Sequence, residues 1–203
     1  MAQRMKACVA CHGPEGRATN GGFFPRIAGK PPGYLYNQLV NFRDGKRQNA
    51  AMAALVDQMS DAYLREIADH FASLDLPYPP PQSTNAPAAA LARGEHLVRE
   101  GDVARRIPAC ASCHGQAMTG VAPAIPGLLG LPRDYILAQL GAWRNGARRA
   151  AAPDCMGEIA RRLSAEDVSA MALWLSSQPV AHAVADAGSA TPKPAMQCGS
   201  GQP

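Results

Sequence analysis

Two short runs hold the side chains of this sequence best suited to chemistry: Cys8-Val9-Ala10-Cys11-His12 near the start and Cys110-Ala111-Ser112-Cys113-His114 past the middle. Two thiols three positions apart, on one helical turn, can each form a thioether to one edge of a porphyrin. The imidazole of the next residue then falls under the iron as its proximal ligand. Cys-x-x-Cys-His is for this reason the attachment pattern of a c-type haem. A thioredoxin-like redox pair would need a βαβ context, and half a zinc site would need a second Cys/His pair at ligand spacing. Neither is present, and the adjoining His occurs both times. The expected cofactors are two covalently attached haem c groups, held by Cys8, Cys11, Cys110 and Cys113, with His12 and His114 on the irons.

The elements that must position these runs are helical. Residues 1–12 should form a short helix, and Gly13 to Lys30, rich in Gly and Pro, a loop over a haem face. Pro32 opens a helix with Tyr34, Leu35, Gln38, Leu39 and Phe42 on one side, stopped by Gly45. Ser60 is the N-cap of a further helix on which Leu64, Ile67, Ala68, Phe71 and Leu74 recur at helical spacing. Leu76 to Ala88, containing Pro77-Tyr78-Pro79-Pro80-Pro81, reads as a stiff extended linker. Ala89 to Glu100 restarts a helix ahead of the second motif. The expected fold class is all-α: two tandem domains, residues 1–76 and 89–180, each a small helical bundle around one haem. A Pro-rich linker over 77–88 joins them, and residues 181–203 form an irregular tail.

The second half repeats the first, which supports two like domains. Tyr34, Gln38, Leu39, Phe42, Arg43 and Gly45 line up with Tyr135, Gln139, Leu140, Trp143, Arg144 and Gly146. Pro25-Arg26-Ile27-Ala28-Gly29 lines up with Pro123-Ala124-Ile125-Pro126-Gly127, and Ser60 with Ser164, which has Asp167 at capping-box spacing.

An iron held by one His needs a second axial group, a water or an open position, and that choice separates a carrier from a catalyst. Most Met residues are core filler, so the repeat must decide among the eight present. Met52 and Met156 stand at the same distance before Ser60 and Ser164, and follow their proximal His by forty and forty-two residues. They are the expected distal ligands. Met59 falls opposite Leu163 and reads as core. Met118 is too close to His114, and Met171 lies on an apolar stripe. His70, His96 and His182 have no suitable counterpart and read as surface or structural residues.

Composition bounds the rest. The 203 residues carry 20 Lys and Arg against 16 Asp and Glu, a formal charge of +4 that haem propionates would largely offset. No basic stripe with interleaved aromatics accompanies the charge, so nucleic-acid binding is not expected. No apolar run approaches a membrane span. Haem attachment of this kind takes place outside the cytoplasm, so the expected location is the periplasm, with an export signal absent from this sequence.

The two Cys-x-x-Cys-His sites, the Pro-Arg-Ile-Ala-Gly run, the Tyr-Leu-x-x-Gln-Leu-x-x-Phe-Arg-x-Gly helix and the trailing Met together resemble the two-haem c4-type cytochromes of the class I cytochrome c superfamily. The likeness covers roughly residues 5–180. It implies a periplasmic electron carrier with a His/Met haem in each domain, working between a dehydrogenase donor or respiratory complex and an oxidase or other acceptor. It also implies that Pro25 and Pro123 offer carbonyls to the proximal histidines. By the same likeness Arg26, Arg43 and Arg47 lie near propionates in the first domain, and Arg144 and Arg148 in the second. Two features depart from the pattern: Ala124 stands where the first domain has Arg26, and Cys155 and Cys198 are additional. In an oxidising compartment two leftover thiols most often pair, and a Cys155–Cys198 disulfide would pin the tail near the distal Met. The alternatives are two unrelated thiols, an anchoring or intermolecular Cys198, or Cys155 as an iron ligand. That last option would suit a two-haem catalyst, a peroxidase or a thiosulfate dehydrogenase-like enzyme. A dedicated electron-transfer subunit of a dehydrogenase complex is the third reading.

Overall fold

A computed structural model describes residues 2–18, 24–180 and 196–201. His182 and most of the expected tail lie outside the described residues. The architecture is all-α apart from one two-residue-wide ribbon.

The first half begins with a 3-10 turn, Ala2–Met5, running into α1 (Lys6–His12). Helix α2 (Pro32–Arg43) starts on a proline in its first turn, where no backbone N–H is needed. It stops where the Asp44 N–H bonds the Val40 carbonyl and Gly45 turns left-handed at φ 69°. In α3 (Ala50–Val56) the first turn is capped by Asn49, whose Oδ1 accepts the Met52 N–H at 3.0 Å. Ser60 caps α4 (Asp61–Ala72) in the same way through the Tyr63 N–H at 3.3 Å. Leu35 and Phe42 of α2 and Leu64, Ile67, Ala68 and Phe71 of α4 then form one apolar core, closed by Met5 and Val56.

Residues 73–87 carry no helix or strand. Arg26 holds this stretch down. Its guanidinium donates to the carbonyls of Leu76 and Pro77 and lies 4.2 Å from the centre of the Tyr78 ring.

The second half contains α5 (Ala88–Arg99), the single-turn α6 (Ala111–His114) and a ribbon of β1 (Gly120–Val121) antiparallel to β2 (Ile125–Pro126). Helices α7 (Arg133–Arg144), α8 (Cys155–Arg162) and α9 (Ala165–Ser177) follow. Leu97 and Val98 of α5 pack with Val168, Met171, Ala172 and Leu175 of α9, and Ile136 and Leu140 of α7 complete the core. The capping box expected at Ser164 and Asp167 is present. Asp167 does more than cap: its carboxylate, fully buried, also takes the guanidiniums of Arg93 and Arg105.

The α5–α9 crossing depends on one glycine. A Cβ on Gly94 would lie 2.7 Å from the Ala170 carbonyl carbon and 2.9 Å from the Trp174 Cβ, and backbone atoms cannot swing aside. Gly94→Ala should therefore force the helices apart and lower stability by about 1–3 kcal/mol, the usual range for overpacking. Denaturant unfolding should show a lower midpoint with an unchanged slope.

Cys155 and Cys198 form a disulfide with Cα atoms 5.6 Å apart. The bridge returns residues 196–201 to the start of α8, where the Gly199 N–H meets the Pro153 carbonyl at 3.1 Å. The same segment touches the first half, since the Asn37 amide donates to the Ser200 carbonyl at 3.3 Å.

Candidate functional site

Helices α1 and α6 exist to present the two Cys-x-x-Cys-His runs. Each histidine is buried and fixed by a proline carbonyl: His12 Nδ1 lies 2.8 Å from the Pro25 oxygen and His114 Nδ1 2.7 Å from the Pro126 oxygen. With Nδ1 donating, Nε2 keeps the lone pair that binds a metal. Burial holds both imidazoles below the usual pKa. The proline carbonyls oppose this, while the charge of Arg47 adds to it at His12 and that of Lys30 at His114. A neutral imidazole is the form that ligates.

The second of these bonds corrects the sequence expectation, which assigned it to Pro123. That carbonyl is instead committed across the middle of the molecule, to the Gly33 N–H at 3.0 Å. The repeat runs without a gap from the tyrosines back to the prolines, so Pro25-Arg26-Ile27-Ala28-Gly29 answers to Pro126-Gly127-Leu128-Leu129-Gly130. Gly29 and Gly130 share the same left-handed turn, at φ 70° and 68°. Two prolines three residues apart made the wrong register equally readable.

The cysteines are not poised for redox exchange. Neither Cys-x-x-Cys pair is bridged, and burial pushes the Cys8 thiol up and the Cys110 thiol up to about 12. A thioredoxin-like pair needs a lowered pKa. Among the described residues no three His, Cys, Asp or Glu side chains converge as a metal site.

Both motifs open onto one continuous cavity of about 1570 Å³ lined by both halves. That exceeds the roughly 300–1,000 Å³ of a pocket for one small molecule. Met52 and Met156 line it, and so do Met59, read from the sequence as core, and Met171.

Where the halves meet, the repeat becomes a pseudo-two-fold axis. Arg47 and Arg148 face each other across an antiparallel bridge, with the Gln48 N–H on the Ala147 carbonyl at 2.8 Å and the Arg149 N–H on the Lys46 carbonyl at 2.7 Å. Both guanidiniums are buried and share the same acceptors. Gln38 Oε1 takes one N–H from each at 2.9 Å, and Gln139 Oε1 takes one from each at 2.7 and 2.8 Å. Each also reaches the tyrosine of the opposite half, Tyr135 at 3.0 Å and Tyr34 at 3.4 Å.

Of the other arginines expected near propionates, Arg26 lies on the cavity wall and Arg43 and Arg144 do not. Arg26 lines the cavity, but all three of its guanidinium nitrogens donate to backbone carbonyls of Ala28, Leu76 and Pro77. Arg43 pairs with Asp61 at 2.6 Å and Asp44 at 3.1 Å, away from the cavity wall. Arg144 is exposed and likewise absent from the wall.

The donor set in the cavity is incomplete in a way that identifies its guest. Among the described residues no carboxylate pairs with Arg47 or Arg148, and the buried Trp143 Nε1–H has no partner. Buried unpaired cations and N–H groups are costly. A haem would supply the missing pieces: propionate carboxylates for the cations and the indole, and an apolar macrocycle for the rest of the walls. The residues present fit the group. Trp143 went unassigned in the sequence because it reads there only as the counterpart of Phe42.

Helical halves that each enclose such a wall define a class I c-type cytochrome with two haem sites in one chain. Comparison with known proteins agrees. Residues 3–71 match the family model described as cytochrome C oxidase, cbb3-type, subunit III. The thiosulfate dehydrogenase electron acceptor of Thiomonas intermedia is 38% identical over 177 residues, covering 86% of this chain and 79% of that protein. Cytochrome c4 of Pseudomonas aeruginosa is 35% identical over 170 residues, covering 83% and 82%. Among solved structures, the thiosulfate dehydrogenase TsdBA of Marichromatium purpuratum superposes with a TM-score of 0.76 at 31% identity; 85% of this chain is covered, but only 36% of that one. The chain belongs to the two-haem cytochrome c4 family. It carries two covalently attached haem c groups and is an electron-carrier protein.

Proposed function

We propose that this chain is a periplasmic carrier that accepts electrons from a thiosulfate-oxidising dehydrogenase and delivers them to an oxidase or other acceptor, with both irons closed by His/Met pairs. Haem c, when bound, supplies a one-electron ferric/ferrous couple. Cys8 and Cys11 in the first half, and Cys110 and Cys113 in the second, form the thioethers. His12 and His114 would be the proximal ligands and Met52 and Met156 the distal ones, while Arg47, Arg148 and Trp143 would receive propionates. The proline carbonyls keep each imidazole in one tautomer and one orientation, which limits reorganisation. A thioether opposite imidazole favours ferrous iron and so a high potential.

The observation that carries the carrier reading over a catalyst is the state of Cys155. Its sulfur is joined to Cys198 and is not available as a thiolate ligand, while a candidate methionine stands on the cavity wall in each half. The choice of thiosulfate rests on what the relative in Thiomonas intermedia is named for. No helix among the described residues is long and apolar enough to cross a membrane.

The ferric holoprotein should show the weak long-wavelength Met-to-iron band at a strength fitting two haems per chain. Thiosulfate alone should leave it oxidised until a catalytic amount of a thiosulfate dehydrogenase is added. A high-spin ferric signal, or reduction by thiosulfate alone, would turn the reading to a two-haem catalyst. No reduction even with the enzyme would remove thiosulfate from it.

A further inference from the structure

Lys30 is a buried cation that the repeat does not require. Only 4% of it is exposed, and its Nζ donates to the Gly127 carbonyl at 3.2 Å, from the first half into the second. The matching position in the second half is Leu131, a side chain that packs without charge. An ammonium has three donors, and among the described residues one carbonyl is its hydrogen-bond partner. Among the described residues no carboxylate pairs with it; Tyr34 and Arg26 act on its charge. Burial pushes its pKa down to about 8, so it still carries its proton at neutral pH. A buried charge with so little compensation is retained against the ordinary preference for an apolar residue.

Its position suggests what it does. Gly127 directly follows Pro126, whose carbonyl fixes His114. We infer that Lys30 is a positioning residue through which the first half sets the potential of the second haem, by holding a cation against the proximal loop. A nearby positive charge favours the ferrous form, which carries one positive charge fewer. With Leu131 in the matching place, the second half returns no such charge to the first.

The inference rests on the haem placement proposed above but not on the axial methionines. The test is a redox titration of the holoprotein followed by proton NMR, in wild type, Lys30→Met and Lys30→Gln. Each haem is identified by its contacts with Trp143 or Phe42, so an error in the methionine assignment leaves the test intact. Both variants should weaken reduction of the second haem about tenfold, 59 mV for one electron, and shift the first by a small fraction of that. Glutamine keeps a donor for Gly127 while losing the charge. If Lys30→Gln keeps the wild-type potential while Lys30→Met does not, the hydrogen bond and not the cation matters, and the inference fails. It fails equally if neither potential moves, or if the first haem shifts as much as the second.

Discussion

In the holoprotein, Met156→His should lower one of the two reduction potentials by a sizeable part of the roughly 0.8 V over which axial ligands set haem potentials, and leave the other nearly in place. Met52→His should do the same to the other. The reason is ligand softness. A thioether stabilises ferrous iron, whereas a second imidazole is the stronger donor to ferric iron. Each variant should also lose half of the long-wavelength Met-to-iron absorption. The two methionines are delivered by different means. Met52 sits in the first turn of α3, its own N–H held by Asn49 at 3.0 Å. Met156 sits in the first turn of α8, where Asp154 accepts the Gly157 N–H at 2.9 Å and the neighbouring Cys155 is tied to Cys198. Met59 and Met171 also reach the cavity, so Met59→Leu and Met171→Leu are the controls and should keep both bands. A Met52 or Met156 variant with an unchanged spectrum and unchanged potentials would remove that residue from the iron.

The second large effect is on stability. Asp167→Ala should destabilise the protein by about 1.5–3 kcal/mol, the range for losing hydrogen bonds to a charged group, because Arg93 and Arg105 keep partial contact with solvent. The carboxylate has no solvent exposure and serves three segments at once: it accepts the Ser164 N–H at 2.9 Å, the Arg93 Nε–H at 2.9 Å, and Arg105 from the turn before the second haem motif. Removing it takes the shared acceptor from two partly exposed arginines and from the N-terminus of α9. Burial alone would raise the Asp167 pKa, but the bonds from Arg105, Ser164 and Arg93 outweigh it and hold the group well below the usual carboxylate range. Because the folded pKa is depressed, the stabilisation is fully present above the unfolded value near 4. It is lost progressively as pH falls below that value toward the folded one. Unfolding free energies measured from neutral pH downward should therefore converge for wild type and variant in acid. A constant gap down to the lowest pH at which the protein folds would show that the carboxylate acts by packing and not by charge. The corresponding residue of the first half is Tyr63, so no counterpart of this effect is expected there.

What this sequence determined by itself is what spacing along one chain can encode. The Cys-x-x-Cys-His runs, the caps at Ser60 and Ser164, the proline start of α2 and the apolar faces of α4 and α9 all involve residues within a few positions of one another. Helical geometry alone makes them neighbours. The pairing of Cys155 with Cys198 was legible for another reason: four of six cysteines had a use, and two remained. What only the tertiary structure decided is where the long polar side chains end. Arg26, Arg43, Arg47, Arg144 and Arg148 look alike in the repeat. Yet one clamps the linker, one pairs with Asp61, one faces solvent, and two meet at the pseudo-axis. Lys30 reaches a carbonyl 97 positions away, and Asp167 an arginine 74 positions away. Such partners depend on how separate helices pack, and a flexible charged stem can satisfy many packings equally well. The same limit explains the exchange of Pro123 for Pro126. Two prolines three residues apart are equivalent as letters, and only the fold assigns one carbonyl to His114 and the other to Gly33.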